Sequence, residues 1–170
     1  MTVRVATDAD FPAILDVHAR AFTHDPTVPG IVEGLHELGL HVPSLSFVAV
    51  EGERVVGHVM SSWSEVEGSD ERYLQLSPLG VLPESQRRGH GSALVRATLD
   101  GARALGEPVI FLEGNPAYYG RFGFVRADEL GWPAPPEALF DWAFQVAILD
   151  EHASPARGRI VYGAPFRERG

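Results

Sequence analysis

The sequence predicts one mixed α/β domain, in which helices cover both faces of a central sheet of about six to seven strands. Short runs rich in valine and aromatic residues recur along the chain, and segments with helical spacing of apolar residues separate them. A chain of 170 residues is long enough to bury a substantial core and is most simply one domain. We therefore expect a single domain over residues 1–170.

The first elements are a strand and a helix. "TVRVAT" alternates as a strand does, and the apolar residues from Phe11 to Phe22 then follow helical spacing. Thr7 and Asp10 can cap this helix, and Pro12 is tolerated only in its first turn. A weaker helical pattern follows "HDPTVPG" and covers about residues 31–40.

Three strands are predicted next. Two runs rich in valine and aromatic residues, "SLSFVAV" and "RVVGHVMSSWSEV", flank "EGE", which is typical of a hairpin with a short turn. "ERYLQLSPLGVLP" is the third strand candidate, but Pro78 and Gly80 do not fit a regular ladder. They indicate a bulge, or a place where this strand separates from its neighbour.

The second half of the chain begins with a well-supported helix. One apolar stripe runs from Gly91 to Leu105, and Gly106 ends the helix. "PVIFLEG" then predicts a buried strand, and "NPAYYGRFGF" a helical turn that leads into another strand. "WPAPPEA" is a proline-rich loop, and "FQVAILD" and "GRIVYG" are the last strand candidates.

Composition and charge exclude several classes of function. The chain has 14 basic and 23 acidic residues, which argues against a nucleic-acid surface and suits a cationic substrate as well as simple solubility. No apolar run reaches the roughly 18 residues of a membrane span, and the first residues lack a signal peptide's apolar core, so we expect a cytoplasmic location. The absence of cysteine excludes disulfides and a thiol nucleophile.

A phosphate site is predicted at "QRRGHGS", where two arginines and two glycines precede a helix. The N-terminus of a helix offers unpaired amides and a positive dipole end, and glycine lets a ligand approach the main chain. The segment fits neither a P-loop, because no lysine follows the glycines, nor a dinucleotide fingerprint, because position 94 is Leu. A solvated loop before a helix is the alternative interpretation.

The segment "QRRGHGSAL" after "LGVLP" resembles motif A of the GNAT superfamily of acetyl-CoA-dependent N-acetyltransferases, whose pattern is [QR]-x-x-G-x-[GA]. "AYYGRFGF" is similar to a later segment of that family, "VRVATDADFPAILDVHARAF" to its opening strand and helix, and "FVAVEGERVVGHV" to its next strands. The resemblance covers residues from about 2 to 127, in the family's order.

The resemblance implies a sheet splayed between the fourth and fifth strands, with acetyl-CoA as co-substrate and no metal. It assigns main-chain contacts with the pantetheine arm to Leu79, Gly80 and Val81. The pyrophosphate would be held by the turn at Gln86 and by the amides of Arg87, Arg88, Gly89, His90, Gly91 and Ser92, with either arginine able to reach the 3′-phosphate. Asn115 and Tyr119 complete the implied coenzyme contacts.

Direct transfer of an acetyl group to an amine poses two proton problems. An alkylammonium group loses its proton at pH 7 at a cost of roughly 4–5 kcal/mol, and the departing thiolate gains from protonation. The resemblance assigns the acid to Tyr119, with Tyr118 as a packing aromatic. Glu113, at the end of a strand, is the favoured base, ahead of three other candidates or a chain of water molecules: His58, Glu65 and Glu71.

The acceptor is predicted to be a primary amine of a small molecule or peptide. The family lines its acceptor site with the loop after the first helix and with the last strands, where several acids lie: Asp25, Glu33, Asp128, Glu129 and Asp141. We expect Trp63 near that site. The histidines lack metal-ligand spacing. No nucleic-acid or membrane partner is predicted, and the sequence does not decide between a monomer and a homodimer.

Two other functions fit the same motif. One is a regulatory module that binds acyl-CoA without turnover, and thioester consumption with a panel of amines distinguishes it from an enzyme. The other is a structural partner module. A large exposed apolar patch, in a protein that does not bind coenzyme A, would support this interpretation.

Overall fold

The computed structural model describes residues 1–167, and within them eight strands form one sheet. The order across the sheet is β1-β2-β3-β4-β5-β7-β6, and β8 pairs with β3 beside this path. The strands are β1 (Thr2–Val5), β2 (Phe47–Glu51), β3 (Arg54–Val66), β4 (Arg72–Val81), β5 (Val109–Glu113), β6 (Val125–Arg126), β7 (Phe144–Ile148) and β8 (Ile160–Val161). The mixed α/β class is confirmed; the strands beyond the expected six to seven are short, since β6 and β8 have 2 residues each.

Four of the five helices in the described residues follow the predicted pattern with shifted ends, and the short last helix was not predicted. The helices are α1 (Phe11–Ala21), α2 (Val28–Glu37), α3 (His90–Ala104), α4 (Pro116–Tyr119) and α5 (Ala164–Arg167). The weaker second helix begins three residues earlier than its apolar pattern indicated, because Val28 already packs into the core. Within residues 1–167, no helix is both long enough and apolar enough to cross a membrane.

The sheet separates two apolar cores, because successive side chains of a strand point to opposite faces. In β5, Phe111 packs with the residues of α2, whereas its neighbours Ile110 and Leu112 pack with those of α3. The two clusters explain why "VIFLE" is apolar at nearly every position: both faces of this strand are covered.

The β2–β3 hairpin turns at Gly52, as "EGE" predicted. Gly52 has φ +61°, a conformation that glycine adopts without steric cost, and the strands pair from Glu51 opposite Arg54 onward.

Strand β4 leaves β5 halfway along its length. The two strands are parallel and pair only at Leu74 with Ile110 and at Gln75 with Phe111. Beyond Gln75, β4 continues to Val81 beside β3 alone, with a register shift opposite Val59–Ser61. A gap therefore opens between the carboxyl ends of β4 and β5, which confirms the predicted splay between the fourth and fifth strands.

Candidate active site

Two neighbouring clefts lie at the carboxyl end of β4 and share Leu79 in their walls. The first, which we call the phosphate cleft, has a volume of about 560 Å³ and lies at the start of α3. It is lined by Leu79, Val81, Ser85, Gln86, Arg87, Gly89, His90, Gly91, Ser92, Tyr118 and Arg121. The second, the central cleft, has about 870 Å³ and occupies the gap between β4 and β5.

The turn before α3 leaves main-chain amides available. Arg87 and Gly89 both have positive φ, +62° and +87°, so the chain winds tightly before the helix begins. The earliest carbonyl to accept a bond of this helix is that of Gly89, which takes the amide of Ala93. The amides of residues 90–92 thus have no partner within the helix, and this end of its dipole is positive. The arrangement fits an anion.

Three arginines surround this turn, and two of them line the phosphate cleft. Arg87 lines it, as predicted, whereas Nη1 of Arg88 lies 3.5 Å from Oε1 of Glu51 and its side chain is absent from the lining. Arg121 is the second cation of the cleft, and its guanidinium lies 4.3 Å from the centre of the Tyr118 ring. Arg121, which lies within "YYGRFGF", was not among the predicted site residues.

His90 ties the start of α3 to β2. Its Nε2 lies 2.6 Å from Oε1 of Glu51, and this hydrogen bond holds the pKa of the Glu51 carboxyl below its usual range. Glu51 thereby holds both His90 and Arg88, so that the turn is fixed from its outer side.

Two predicted glycines have different structural reasons. A Cβ on Gly80 would lie 2.9 Å from Nδ1 of His18, and Gly80 lines neither cleft; its missing side chain makes room for α1. A Cβ on Gly91 would lie 2.8 Å from the hydroxyl oxygen of Tyr118, inside the phosphate cleft. The missing side chain of Gly91 thus makes room for the Tyr118 hydroxyl, whereas Gly89, with no atom within 4 Å of its Cβ position, leaves open space in this cleft.

Tyr119 lies in the central cleft, next to the strand end. Its ring covers Gly114, where a Cβ would come within 2.5 Å of Cε2, and it makes an edge contact with the Tyr118 ring at 4.9 Å. Burial, and then the neighbouring Tyr118, raise the pKa of Tyr119. The phenol therefore keeps its proton at neutral pH and can donate it. Asn115 caps α4 by accepting a 2.9 Å bond from the Ala117 amide, which fixes the turn that carries both tyrosines.

Glu113 lies in the same cleft as Tyr119. Its Oε1 accepts a 2.9 Å hydrogen bond from the amide of Leu139, and its Oε2 accepts one of 3.3 Å from the hydroxyl of Tyr162. Of the candidate bases, only Glu113 lines the central cleft formed by the described residues.

The other candidate bases have partners elsewhere. His58 is buried between Ser46, at 2.9 Å, and His18, at 2.8 Å. Glu71 accepts hydrogen bonds from the Tyr73 hydroxyl and the Ala156 amide at the opposite end of β4, and Glu65 lies in the β3–β8 ladder. None of them reaches the gap between β4 and β5.

Of the five acids expected near an acceptor, Asp25 is the one that the described residues place in the central cleft. Glu33 and Asp141 are absent from its lining, and Asp128 and Glu129 pair with Arg126 outside it. Trp142 lines the cleft in place of the expected Trp63, whose ring stacks on Arg72 at 4.1 Å. The signal for this wall was the aromatic content of "LFDWAF" and "IVYGAPF" near the end of the chain. In the described part of the chain, no group of His, Asp or Glu side chains could hold a metal ion.

Comparison with known proteins gives consistent matches over nearly the whole chain. The sequence model of the acetyltransferase (GNAT) domain matches residues 2–127. The uncharacterized N-acetyltransferase YhbS of Escherichia coli K12 is 30% identical over 172 aligned residues, which cover 98% of this chain and 98% of that protein. The uncharacterized N-acetyltransferase YjhQ of the same strain is 32% identical over 137 residues, covering 79% of this chain and 75% of its own.

Solved structures match equally broadly. The crystal structure of YhbS from E. coli in complex with CoA has a TM-score of 0.89 and 29% identity, and covers 98% of this chain and 91% of that one. A GNAT family acetyltransferase from Brucella melitensis in complex with acetyl-CoA has a TM-score of 0.80 and 27% identity, over 97% of both chains.

Proposed function

Because this chain belongs to the GNAT superfamily of acetyltransferases, we propose that it is an N-acetyltransferase that moves an acetyl group from acetyl-CoA directly to a primary amine of a small molecule or peptide. The 170 residues would act as one catalytic domain, of which the last three lie outside the described residues. The single observation that supports this proposal most is the pairing of an amide-lined phosphate cleft with a cleft that holds a protonated phenol and a carboxylate.

The residues of the phosphate cleft suit the diphosphate of the coenzyme. The unpartnered amides of residues 90–92 and the positive end of α3 would bind it, and Arg87 and Arg121 add cationic groups. The open space at Gly89, where no atom lies within 4 Å of the Cβ position, leaves room for it. Leu79 and Val81, on the edge of β4 that β5 has left, offer main-chain groups to the pantetheine arm.

When bound, acetyl-CoA supplies the activated acetyl group. The chain's own residues do the rest of the work: Tyr119 holds a proton where a thiolate leaves, and its raised pKa keeps that proton in place until transfer. Glu113 takes the amine's proton directly or through water, and hydrogen bonds from Leu139 and Tyr162 fix the orientation of its carboxylate. The walls of the gap between β4 and β5 bring the two groups into one cleft.

A panel of amines with acetyl-CoA tests the proposal. Because the chain has no cysteine, every free thiol that appears comes from coenzyme A. Because it has no lysine, its own acceptor amines are confined to the N-terminus. We expect amine-dependent thiol release that saturates with both substrates and yields an acetylated amine by mass spectrometry. Tight binding of acetyl-CoA without release of the coenzyme's thiol in the presence of any amine would instead identify a regulatory module. The cytoplasmic location stays a prediction.

A further inference from the structure

We propose that the acceptor is a monocationic amine with an apolar, aromatic-sized body and no anionic group, and that Leu139, Phe140 and Trp142 bind this body. This inference rests on the proposed function and specifies the substrate class of the same site. We call these three residues the aromatic rim; they form part of the wall of the central cleft.

The aromatic rim exposes apolar surface that the fold does not use. Leu139 is 78% exposed, Phe140 55% and Trp142 47%. The two rings stack on each other, with centres 5.1 Å apart and planes 18° from parallel. They therefore form one exposed aromatic pair, and a contiguous exposed apolar surface beside a cleft is typical of a binding site.

The apolar surface continues from the rim into the cleft. Phe22 at the end of α1, Val28 and Ile31 of α2, and Phe166 of α5 line the same space. A ligand in this cleft therefore contacts apolar side chains beyond the rim, and burial of its own carbon atoms against them is favourable.

The charges of the central cleft select a cation. Asp25 and Glu113 contribute carboxylates to the lining, and no arginine of the described chain does. His24 is the one basic side chain that the described residues contribute to this lining, and since the sequence has no lysine, a carboxylate or phosphate buried beside Glu113 would have neither an arginine nor a lysine as a partner. The arginines that could bind an anion, Arg87 and Arg121, lie in the phosphate cleft instead.

The rim is joined to the candidate base. The amide of Leu139 donates to Oε1 of Glu113 at 2.9 Å, so the rim begins at the residue that holds this carboxylate. An ammonium group beside Glu113 would have its carbon body next to the rim, and the rings of Phe140 and Trp142 also attract cations through their faces. The second carboxylate of the cleft, Asp25, accepts hydrogen bonds from the amide and the hydroxyl of Thr27, so one ammonium group, beside Glu113, satisfies this geometry.

Matched pairs of amines test the inference with the enzyme as it is. Ethylamine and 2-phenylethylamine differ by the aromatic body, and 2-phenylethylamine and phenylalanine differ by a carboxylate. We expect kcat/KM for 2-phenylethylamine to exceed that for ethylamine more than tenfold and that for phenylalanine more than tenfold. Spermidine, a hydrophilic polycation, should be as poor a substrate as ethylamine.

The variant Trp142→Ala tests the rim itself. It should lower kcat/KM for 2-phenylethylamine at least fivefold, mainly through KM, while the value for ethylamine and the affinity for acetyl-CoA change less than twofold. Leu105→Ala is the matched control, because Leu105 is 49% exposed and lines neither cleft. It should leave all these values unchanged.

The outcomes separate the two proposals. Thiol release with equal preference for all amines, a preference for phenylalanine or spermidine, or an unaffected Trp142→Ala would overturn this inference and leave the acetyltransferase standing. Absence of thiol release with every amine would overturn both. A dimer detected by light scattering that Trp142→Ala dissociates without any change in amine preference would show that a second copy covers the rim, and would also overturn it.

Discussion

Tyr118 and Tyr119 are adjacent in sequence but serve different clefts. Tyr118 lines the phosphate cleft beside Arg121, whereas Tyr119 lines the central cleft with Glu113. The sequence offered two phenols, and only the resemblance to a family motif favoured one of them. Of these two, Tyr119 is the phenol that lines the same cleft as Glu113, while the hydroxyl bonded to that carboxylate belongs to Tyr162; the role of Tyr119 as the acid stays a prediction.

Replacement of Tyr119 tests its role as an acid. Tyr119→Phe should lower kcat about a hundredfold, the usual size of a lost general acid, and leave the affinity for acetyl-CoA within twofold. Tyr118→Phe is the matched control and should retain most of kcat. Steady-state kinetics and calorimetry measure both quantities. A Tyr119→Phe rate within twofold of the parent would remove the tyrosine from the mechanism.

Replacement of Glu113 tests its role as the base. Glu113→Gln keeps an oxygen for the Leu139 amide, so the rim stays in place, but the new amide cannot take a proton from the amine, and kcat/KM should fall more than tenfold. Steady-state kinetics at saturating acetyl-CoA measure this value. A value within twofold of the parent would assign the proton to a chain of water molecules instead.

The turn before α3 is the element in which sequence and structure agree best and still differ in detail. The turn and its two glycines at the start of a helix could be predicted, because helix starts and glycines have local sequence signatures. The positive φ of Arg87 was not, since it depends on how the turn is packed. Nor was the pairing of Arg88 with Glu51, which lies 37 positions away in sequence.

The splay of β4 from β5 was predicted from residues that have different reasons to be there. Pro78 lies beyond Gln75, where β4 no longer pairs with β5, so its missing amide proton costs no hydrogen bond to that strand. Gly80, in contrast, is opposite His58 in a regular pairing, and its hydrogen side chain accommodates His18. A local sequence pattern can thus predict the correct element without predicting the tertiary contact that explains one of its residues.

Gly91 is a better probe of this element than Gly89. Any side chain at Gly89 would be strained by its φ of +87°, so a loss of binding there could reflect the backbone. Gly91 has ordinary helical geometry, and a substituent there meets the far end of the Tyr118 side chain, which can move. Gly91→Glu should therefore fold and yet oppose an anion in the phosphate cleft.

At the scale of the whole molecule, the fold class could be predicted because apolar spacing reports burial, and the two-sided burial of β5 appears as a continuous apolar run. The aromatic rim could not, because it is distant in sequence from α2 and α5 and meets them only in the folded chain. The short strands β6 and β8 were both predicted, from the segments that follow "NPAYYGRFGF" and from "GRIVYG", although each has only 2 residues.

Stability should depend on pH through histidines buried beneath the sheet. Burial lowers the pKa of His18 to about 4 and holds that of His58 well below its usual range. Between about pH 6.5 and 4, the unfolded chain therefore binds protons that the native chain does not. The free energy of unfolding should fall as the pH is lowered through this window, by up to about 1.4 kcal/mol per pH unit for each histidine.

Urea denaturation at pH 7, 6 and 5 measures this effect. The carboxyls with lowered pKa, such as those of Asp10 and Glu84, begin to contribute only below about pH 5 and have little effect over this range. Because burial also lowers the pKa of His41, His18→Gln should reduce the slope of stability against pH without abolishing it, whereas His152→Gln, at an exposed position, should leave it unchanged. Stability that is constant or rises from pH 7 to pH 5 would contradict this account.

Calorimetric titration of acetyl-CoA into the parent protein and into Gly91→Glu tests the central claim most directly. Gly30→Glu is the control, since it adds the same charge at an exposed helical glycine with open space around it. If the turn at residues 86–92 binds the coenzyme's phosphates, the parent and Gly30→Glu bind with equal affinity and Gly91→Glu, with unchanged stability, binds at least a hundredfold more weakly. Equal affinity of all three proteins would show that the coenzyme binds elsewhere.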